Sequence, residues 1–431
     1  MNFLKKQSPV RIISLGFALV ILIGSVLLSL PYSIRDGVTL RYIDALYMST
    51  SAVCVTGLLT VDAGDTFTPL GQFFLCMLIQ IGGLGVTAVG TGVILAMGKK
   101  INLKARNLIR EAGNLDSGKG VIRFIRLVFL TTVTFELAGA ALSFLVFRKK
   151  FPPLKAAGVS LFHSVASFNN SGFDILGGGQ NLIPYQDDIL LNLVTCALVI
   201  FGGIGFLVIR EVIAKRFRWK KLSMHAKVVL FMSLVLTAAG TVLLKLTEDI
   251  TWMGAFFTSV SARTAGFSTF PLGSFSGAGL LTVIVLMVIG ASPGSTGGGI
   301  KTTTCYVLFE GIRSSATNTS EKAFRYAVPT DAFRKAAVIT LLAIGIVLSG
   351  TYILVILEPG VPFLDALFEM SSAFGTAGLS TGISTGLCDA AKLLTILIMF
   401  IGRLGPLTIA SLWYFTKGER VSYPEGNIAI G

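Results

Sequence analysis

Apolar positions fall into eight long blocks, at approximately 12–30, 71–97, 122–147, 189–209, 228–247, 279–305, 336–357 and 391–415. A helix needs about 20 apolar residues to cross a bilayer core of roughly 30 Å, so each block predicts a membrane helix. The first follows Lys5, Lys6 and Arg11, as in the n-region of a signal peptide. Its apolar run is long and no Ala-x-Ala site follows, so it reads as a retained membrane helix. Between the blocks, polar and basic segments alternate with longer, half-apolar ones.

Composition supports this pattern. Of 431 residues, 53% are hydrophobic and 13% charged, against about 25% charged in a soluble domain. A water-soluble enzyme, a disordered chain and a collagen-like fibre are excluded. The formal charge of +14 is concentrated at the N-terminus, in segments 98–126, 210–227 and 301–335, and in the tail. With eight spans these all lie on one side, which makes both termini cytoplasmic. The basic excess therefore needs no nucleic acid, although the loops can dock an acidic cytosolic partner. The five cysteines are widely spaced without a CxxC, and two histidines cannot build a metal centre. No convergent acid, base or nucleophile appears, so the chain is not an enzyme.

The half-apolar connections carry a repeated mark. The first runs from Asp44 through Cys54-Val55-Thr56-Gly57, and the last from Asp365 through Gly375-Thr376-Ala377-Gly378, with 13 residues from aspartate to final glycine in both. Weaker copies end in Asn169-Asn170-Ser171-Gly172 and Arg263-Thr264-Ala265-Gly266. Each is followed 24 to 30 residues later by a second mark, beginning at Gly82, Gly202, Gly290 and Gly402. Four copies in register predict a fourfold repeat of helix, pore loop and helix. The repeats span 10–97, 121–213, 226–312 and 334–416, with a tail at 417–431. The fold class is an all-α integral membrane protein with four pseudo-symmetric repeats around a central ion pore.

A segment such as 44–53 makes a helix of about 15 Å, half the membrane. The irregular backbone that follows is tolerated at that depth only where it is buried or lines a watery cavity. The helix C-terminus carries a partial negative charge, and carbonyls beyond it can replace the hydration shell of a cation. Glycine permits the unusual dihedral angles and leaves the lumen free of side chains. The expected ion-binding backbone is therefore the four tetrapeptides ending at Gly57, Gly172, Gly266 and Gly378. Arg263 is expected to turn its guanidinium behind the filter toward a carboxylate, away from the ion.

These segments, the Gly-Gly-x-Gly spans, the run Gly290-Ala291-Ser292-Pro293-Gly294-Ser295-Thr296-Gly297-Gly298-Gly299 and Arg403 resemble the Trk/Ktr/HKT superfamily of potassium transporters, most closely the bacterial Ktr-type membrane subunit. The resemblance covers nearly all of 10–431. It implies potassium translocation through backbone carbonyls, with sodium as a transported or coupling ion and symport as one mode. It also implies a homodimer on a cytosolic RCK-type ring that carries the regulatory nucleotide; no cofactor is expected in this chain. In the plant branch serine at the first filter glycine goes with sodium transport, so Gly57 favours potassium.

The run 290–299 holds five glycines and Pro293, a composition that breaks the sixth span. It is expected to form a mobile intramembrane gating loop beneath the filter. It falls short of a phosphate-binding loop, because Ile300 stands where lysine is required. Arg403, a charge within a membrane helix, is expected to oppose the ion below the filter and pair with the loop's oxygens. Glu136, also inside a span, is expected to cap a buried polar cluster. The outer acids Asp62, Asp65 and Asp174 read as solvated loop residues. The alternative function is a secondary transporter of another cation or small solute, which predicts two inverted halves with unpaired broken helices.

Overall fold

The computed structural model describes residues 9–96, 121–329 and 331–411. The expected tail 417–431, both chain ends and the basic residues between 97 and 120 lie outside the described residues.

The same order of elements recurs four times. A long helix is followed by a shorter re-entrant helix, a glycine turn, a return segment and a second helix in two pieces. The first group is α1 (Pro9–Leu28), α2 (Tyr42–Cys54), α3 (Pro69–Leu84) and α4 (Val86–Ala96); the second is α5 (Val121–Phe147), α6 (Pro153–Phe168), α7 (Ile189–Ile204) and α8 (Phe206–Ala214). The third is α9 (Met224–Thr247), α10 (Trp252–Ser261), α11 (Gly277–Val288) and α12 (Thr302–Thr317). A two-stranded hairpin, Lys322–Ala323 with Tyr326–Ala327, leads to the fourth: α13 (Asp331–Leu357), α14 (Phe363–Gly375), α15 (Asp389–Leu404) and α16 (Pro406–Ser411).

Among the described residues, four helices are long and apolar enough to cross a membrane, and each opens a group: Val10–Leu28, Ile122–Phe147, Met224–Thr247 and Asp331–Leu357. Their outer faces expose large apolar side chains, among them Leu19, Leu130, Leu234 and Leu341. In water that surface would be costly; against acyl chains it is matched. The re-entrant helices are the reverse, with Tyr47, Met48, Phe168, Phe368 and Phe374 fully buried.

Small residues bring each opening helix close to its re-entrant partner. Gly24, Gly139 and Gly240 leave no room for a Cβ, because Ser49, Ser164 and Ser259 lie against them. Those three serines donate to the carbonyls of Ile21 (2.7 Å), Glu136 (2.6 Å) and Thr237 (2.9 Å), each three residues before the glycine. Gly350 faces Met370 in the fourth group. Glycine against a small hydroxyl residue is the contact that lets helices associate where no water drives them together.

The second helices correct an expectation. Only the sixth apolar block was expected to be broken, yet all four are interrupted at the second glycine mark. Gly85, Gly205 and Gly405 have φ of 87°, 96° and 91° with ψ of 133°, 140° and 139°, a conformation open to glycine and strained for other residues. The pieces α7 and α8 meet at 97°. In the third group the break widens into the run 289–301 between α11 and α12. The first glycine of each mark has a different task. Gly82, Gly202 and Gly402 press against the carbonyls of Val53, Phe168 and Phe374 near the re-entrant helix ends.

Candidate pore and the loop beneath it

Each re-entrant helix ends in the same backbone sequence. Val55, Asn170, Thr264 and Thr376 have φ of 57°, 57°, 72° and 49°, and each stands two residues before its glycine. Gly57, Gly172, Gly266 and Gly378 follow with φ of 97°, 69°, 80° and 79°. The intervening Thr56, Ser171, Ala265 and Ala377 are absent from the left-handed set. Three of the left-handed residues are β-branched or bulky at an angle they rarely adopt. Such strain persists only where the surroundings over-determine it, as at functional sites.

Local bonds impose this geometry. Thr56 N donates to Ser51 O (2.8 Å), Ser171 N to Ala166 O (2.8 Å) and Ala377 N to Ser372 O (2.9 Å). These bonds reach back five residues and close the helix in the manner of a left-handed C-cap. The third copy differs, with Ala265 N bonded to Ser261 O (2.9 Å). Gly57 N also donates to the Ser51 hydroxyl at 2.9 Å.

The four turns meet in cyclic order. An added Cβ on Gly57 would strike Ser171 O and lie 3.2 Å from Gly378 Cα. On Gly172 it would lie 2.7 Å from Gly266 Cα, and on Gly266 it would lie 2.9 Å from Ala377 O. On Gly378 it would strike Thr56 O and lie 2.9 Å from Gly57 Cα. The tetrapeptides read from sequence are thus brought together and are buried, apart from the half-buried Gly378. What converges is peptide backbone; no acidic cluster able to hold a metal occurs among the described residues.

Arg263 turns behind its turn, as expected, but its partner is not a carboxylate. Its guanidinium donates to the Thr237 hydroxyl of α9 at 2.8 Å, while Nε has no partner. The physical reason is local: the nearest face of α9 offers hydroxyls and apolar groups only. Asn169 also points outward, its amide nitrogen donating to Gln80 (2.9 Å) and Glu136 (3.0 Å). Glu136 therefore does join a buried polar cluster behind the second turn. Asp62 and Asp65 are not simply solvated, since their carboxylates accept from Gly179 N and Gly178 N, each at 2.7 Å.

The run 290–299 lies directly beneath the turns. Gly298 N donates to the Thr376 hydroxyl at 3.1 Å, and Gly297 abuts the Thr264 hydroxyl so closely that a Cβ would not fit. The Thr296 hydroxyl lies 3.3 Å from Phe168 O. Its backbone is tied to the broken helix of the second group: Ser292 N to Gly203 O (3.0 Å), Thr296 N to Gly202 O (3.2 Å) and Phe206 N to Gly294 O (3.1 Å). Ser295 donates to Ser292 O at 2.6 Å, bracing the tip around Pro293. Arg403 of α15 spans this assembly, donating to Thr296 O and to Gly82 O and, at 3.3 Å, to Gly83 O. One guanidinium thus links the first, third and fourth groups.

The glycine-turn geometry and the broken second helices set the context for the comparisons. A family model described as a cation transport protein matches residues 11–248 and 221–416. The chain belongs to the TrkH family. The "Ktr system potassium uptake protein B" of Bacillus subtilis is 37% identical, covering 98% of this chain and 97% of that protein. The "Potassium/sodium uptake protein NtpJ" of Enterococcus hirae is 35% identical, over 99% and 98%. Among solved structures, the potassium transporter TrkH from Vibrio parahaemolyticus superposes with a TM-score of 0.75 at 19% identity, covering 95% of this chain and 86% of that one. That likeness establishes the fold: an all-helical membrane protein of pseudo-repeats. A transporter family, together with these apolar helices, makes the chain a multi-pass membrane protein and not an enzyme.

Three ionisable groups near the four turns carry contacts that the sequence did not assign to them. Lys301 donates to Gly297 O (2.8 Å) and Gly298 O (3.3 Å), closing the loop on itself. Asp44, at the start of α2, accepts from Lys392 of α15 at 2.6 Å, and both are buried. Glu369 of α14 is fully buried and accepts from Ser380 (2.8 Å) and Ser384. The available signal was charge inside apolar blocks or half-apolar segments, the same signal that marks Glu136, Arg263 and Arg403.

Proposed function

We propose that this chain is the potassium-translocating membrane subunit of an uptake system, with the four glycine turns as its selectivity filter. The observation that carries this reading is the shared backbone at four places: left-handed at the residue two before glycine, left-handed again at glycine, and meeting in cyclic order. Alternating the sign of φ turns successive carbonyls toward one side, and a ring of carbonyls replaces the water around an alkali cation. The re-entrant helices aim their C-terminal ends at this ring, which favours a cation there. The names of the Bacillus and Enterococcus relatives support potassium, the latter also sodium as a transported or coupling ion.

The loop 290–299 is the proposed gate. It sits against the cytosolic side of the turns, and Arg403 holds it there. The reading also includes a homodimer in the cell membrane with both termini cytoplasmic, a cytosolic RCK-type ring and a nucleotide on that ring; the family resemblance supports these parts. The test is complementation of a potassium-uptake-deficient strain at limiting potassium, with and without an RCK subunit, paired with rubidium uptake. Growth rescue by the wild type and loss of potassium preference in Gly57→Ser support the reading. A strain rescued equally well by both would remove the filter assignment.

A further inference from the structure

On the filter-mouth side of the molecule, between the first and second groups, lies an open cavity of about 760 Å³. Its polar edge carries Arg35 and Asp36 from the connection after α1, Gln72 from the first turn of α3, and Lys155 from the start of α6. Its apolar wall includes Val159 and Ile175.

The two cations are positioned but unpaired. Arg35 Nε donates to Phe67 O at 3.2 Å, and Gln72 donates to the same carbonyl at 3.1 Å. Lys155 Nζ stands 4.7 Å from the Phe151 ring. Neither forms an ion pair among the described residues, and Asp36 forms none either. The lining therefore carries one net positive charge. Beside the cavity, Leu154 is 89% exposed and Phe73 57% exposed, so the apolar surface continues outward from its rim.

We propose that this cavity binds the phosphodiester headgroup of a phospholipid from the leaflet at the filter mouth. A single anionic phosphodiester neutralises the net charge of the lining. The glycerol backbone meets the apolar wall, and acyl chains run along Leu154 and Phe73. The cavity lies at the start of the re-entrant helix α6; in the orientation of the proposed function, on which this inference rests, that is the depth at which phosphates sit and basic side chains meet them. Free inorganic phosphate would satisfy the cations but not the apolar wall. Ile175 follows Gly172 by three residues, so an occupant bears on the strand leaving the second glycine turn.

Gly158 makes the site testable without touching a charge. It lines the cavity, and an added Cβ there meets nothing within 4 Å. A tryptophan at this helical position fills the space that the headgroup would take. The full-length protein is placed in nanodiscs of mixed phosphatidylglycerol and phosphatidylcholine. Retained lipid is read by native mass spectrometry for the wild type, Gly158→Trp and the double variant Arg35→Gln/Lys155→Gln. Basic side chains near a membrane contribute about 1 kcal/mol each, so the double variant is expected to retain about thirtyfold less phosphatidylglycerol, and Gly158→Trp is expected to lose the retained lipid by filling its space. One variant removes volume and the other charge, so a folding failure in one leaves the other decisive, each checked by monodisperse elution. Equal retention by all three proteins overturns the proposal. Release of the lipid by millimolar inorganic phosphate alone also overturns it, because the site would then belong to the free ion.

Discussion

The guanidinium of Arg403 donates to the carbonyl of Thr296, tying the fourth group to the loop beneath the pore. The same side chain reaches Gly82 and Gly83 of the first group. Hydrogen bonds to a charged group contribute about 1.5–3 kcal/mol each, so Arg403 stabilises the arrangement in which the loop lies against the turns. Arg403→Ala is predicted to raise rubidium flux by roughly tenfold, the equivalent of one such bond. Arg403→Lys, which cannot span both contacts, is predicted to fall between. Unchanged initial rates at matched expression would show that this contact does not hold the gate.

The buried pair Asp44–Lys392 joins the first re-entrant helix to the last long helix, where the ring of four groups closes. Exposed Arg41 pairs with both Asp44 (3.2 Å) and Asp389 (2.9 Å), which extends it by two further ion pairs. Removing one partner of a buried pair leaves an uncompensated charge and costs about 3–5 kcal/mol. Lys392→Ala is thus predicted to lower the thermal midpoint of the purified protein sharply. The exchanged double variant Asp44→Lys/Lys392→Asp is predicted to regain part of the loss, as read by scanning fluorimetry. If Lys392→Ala melts with the wild type, the pair does not secure the seam.

Glu369 fastens the segment after the fourth turn to its own re-entrant helix through Ser380 and Ser384. Its removal takes the carboxylate acceptor from both hydroxyls, which keep their mutual contact at 3.0 Å, and a lost buried hydrogen-bond partner costs about 1–3 kcal/mol. Glu369→Ala is predicted to weaken discrimination between potassium and sodium, since Ser380 stands two residues beyond Gly378. Glu369→Gln retains an acceptor and is predicted to be milder. Competition of sodium against rubidium uptake is the measurement, and identical selectivity in the alanine variant would contradict it.

Much of this arrangement was legible in the sequence because it is repeated. Glycine at 57, 172, 266 and 378 recurs in register, and a charge such as Arg403 inside an apolar block stands out by its cost. The left-handed residues before each glycine were not legible. Val55, Asn170, Thr264 and Thr376 have no side-chain chemistry common to all four, because the bonds that impose their angles come from backbone groups of the preceding helix. The breaks at Gly85, Gly205 and Gly405 were missed for a related reason. A single glycine in an apolar run costs a helix only about 1 kcal/mol, so composition does not separate a tolerated glycine from one with positive φ. The Asp44–Lys392 pair was hidden by its separation of 348 residues.

The glycines of the ring differ in what surrounds them, which gives a graded prediction. A side chain on Gly57 or Gly378 strikes the backbone carbonyl of a neighbouring turn, Ser171 O or Thr56 O respectively. On Gly266 the first obstacle is Ala377 O at 2.9 Å, a looser contact. All three positions also carry the left-handed strain of roughly 1–2 kcal/mol that any Cβ adds. Gly57→Ser and Gly378→Ser are therefore predicted to raise the half-saturating potassium concentration more than Gly266→Ser, and all three to narrow the preference over sodium. Rubidium uptake titrated with potassium and with sodium ranks them. Wild-type kinetics in Gly57→Ser, at the glycine with the largest positive φ of the four, 97°, would mean that the cation does not pass this ring.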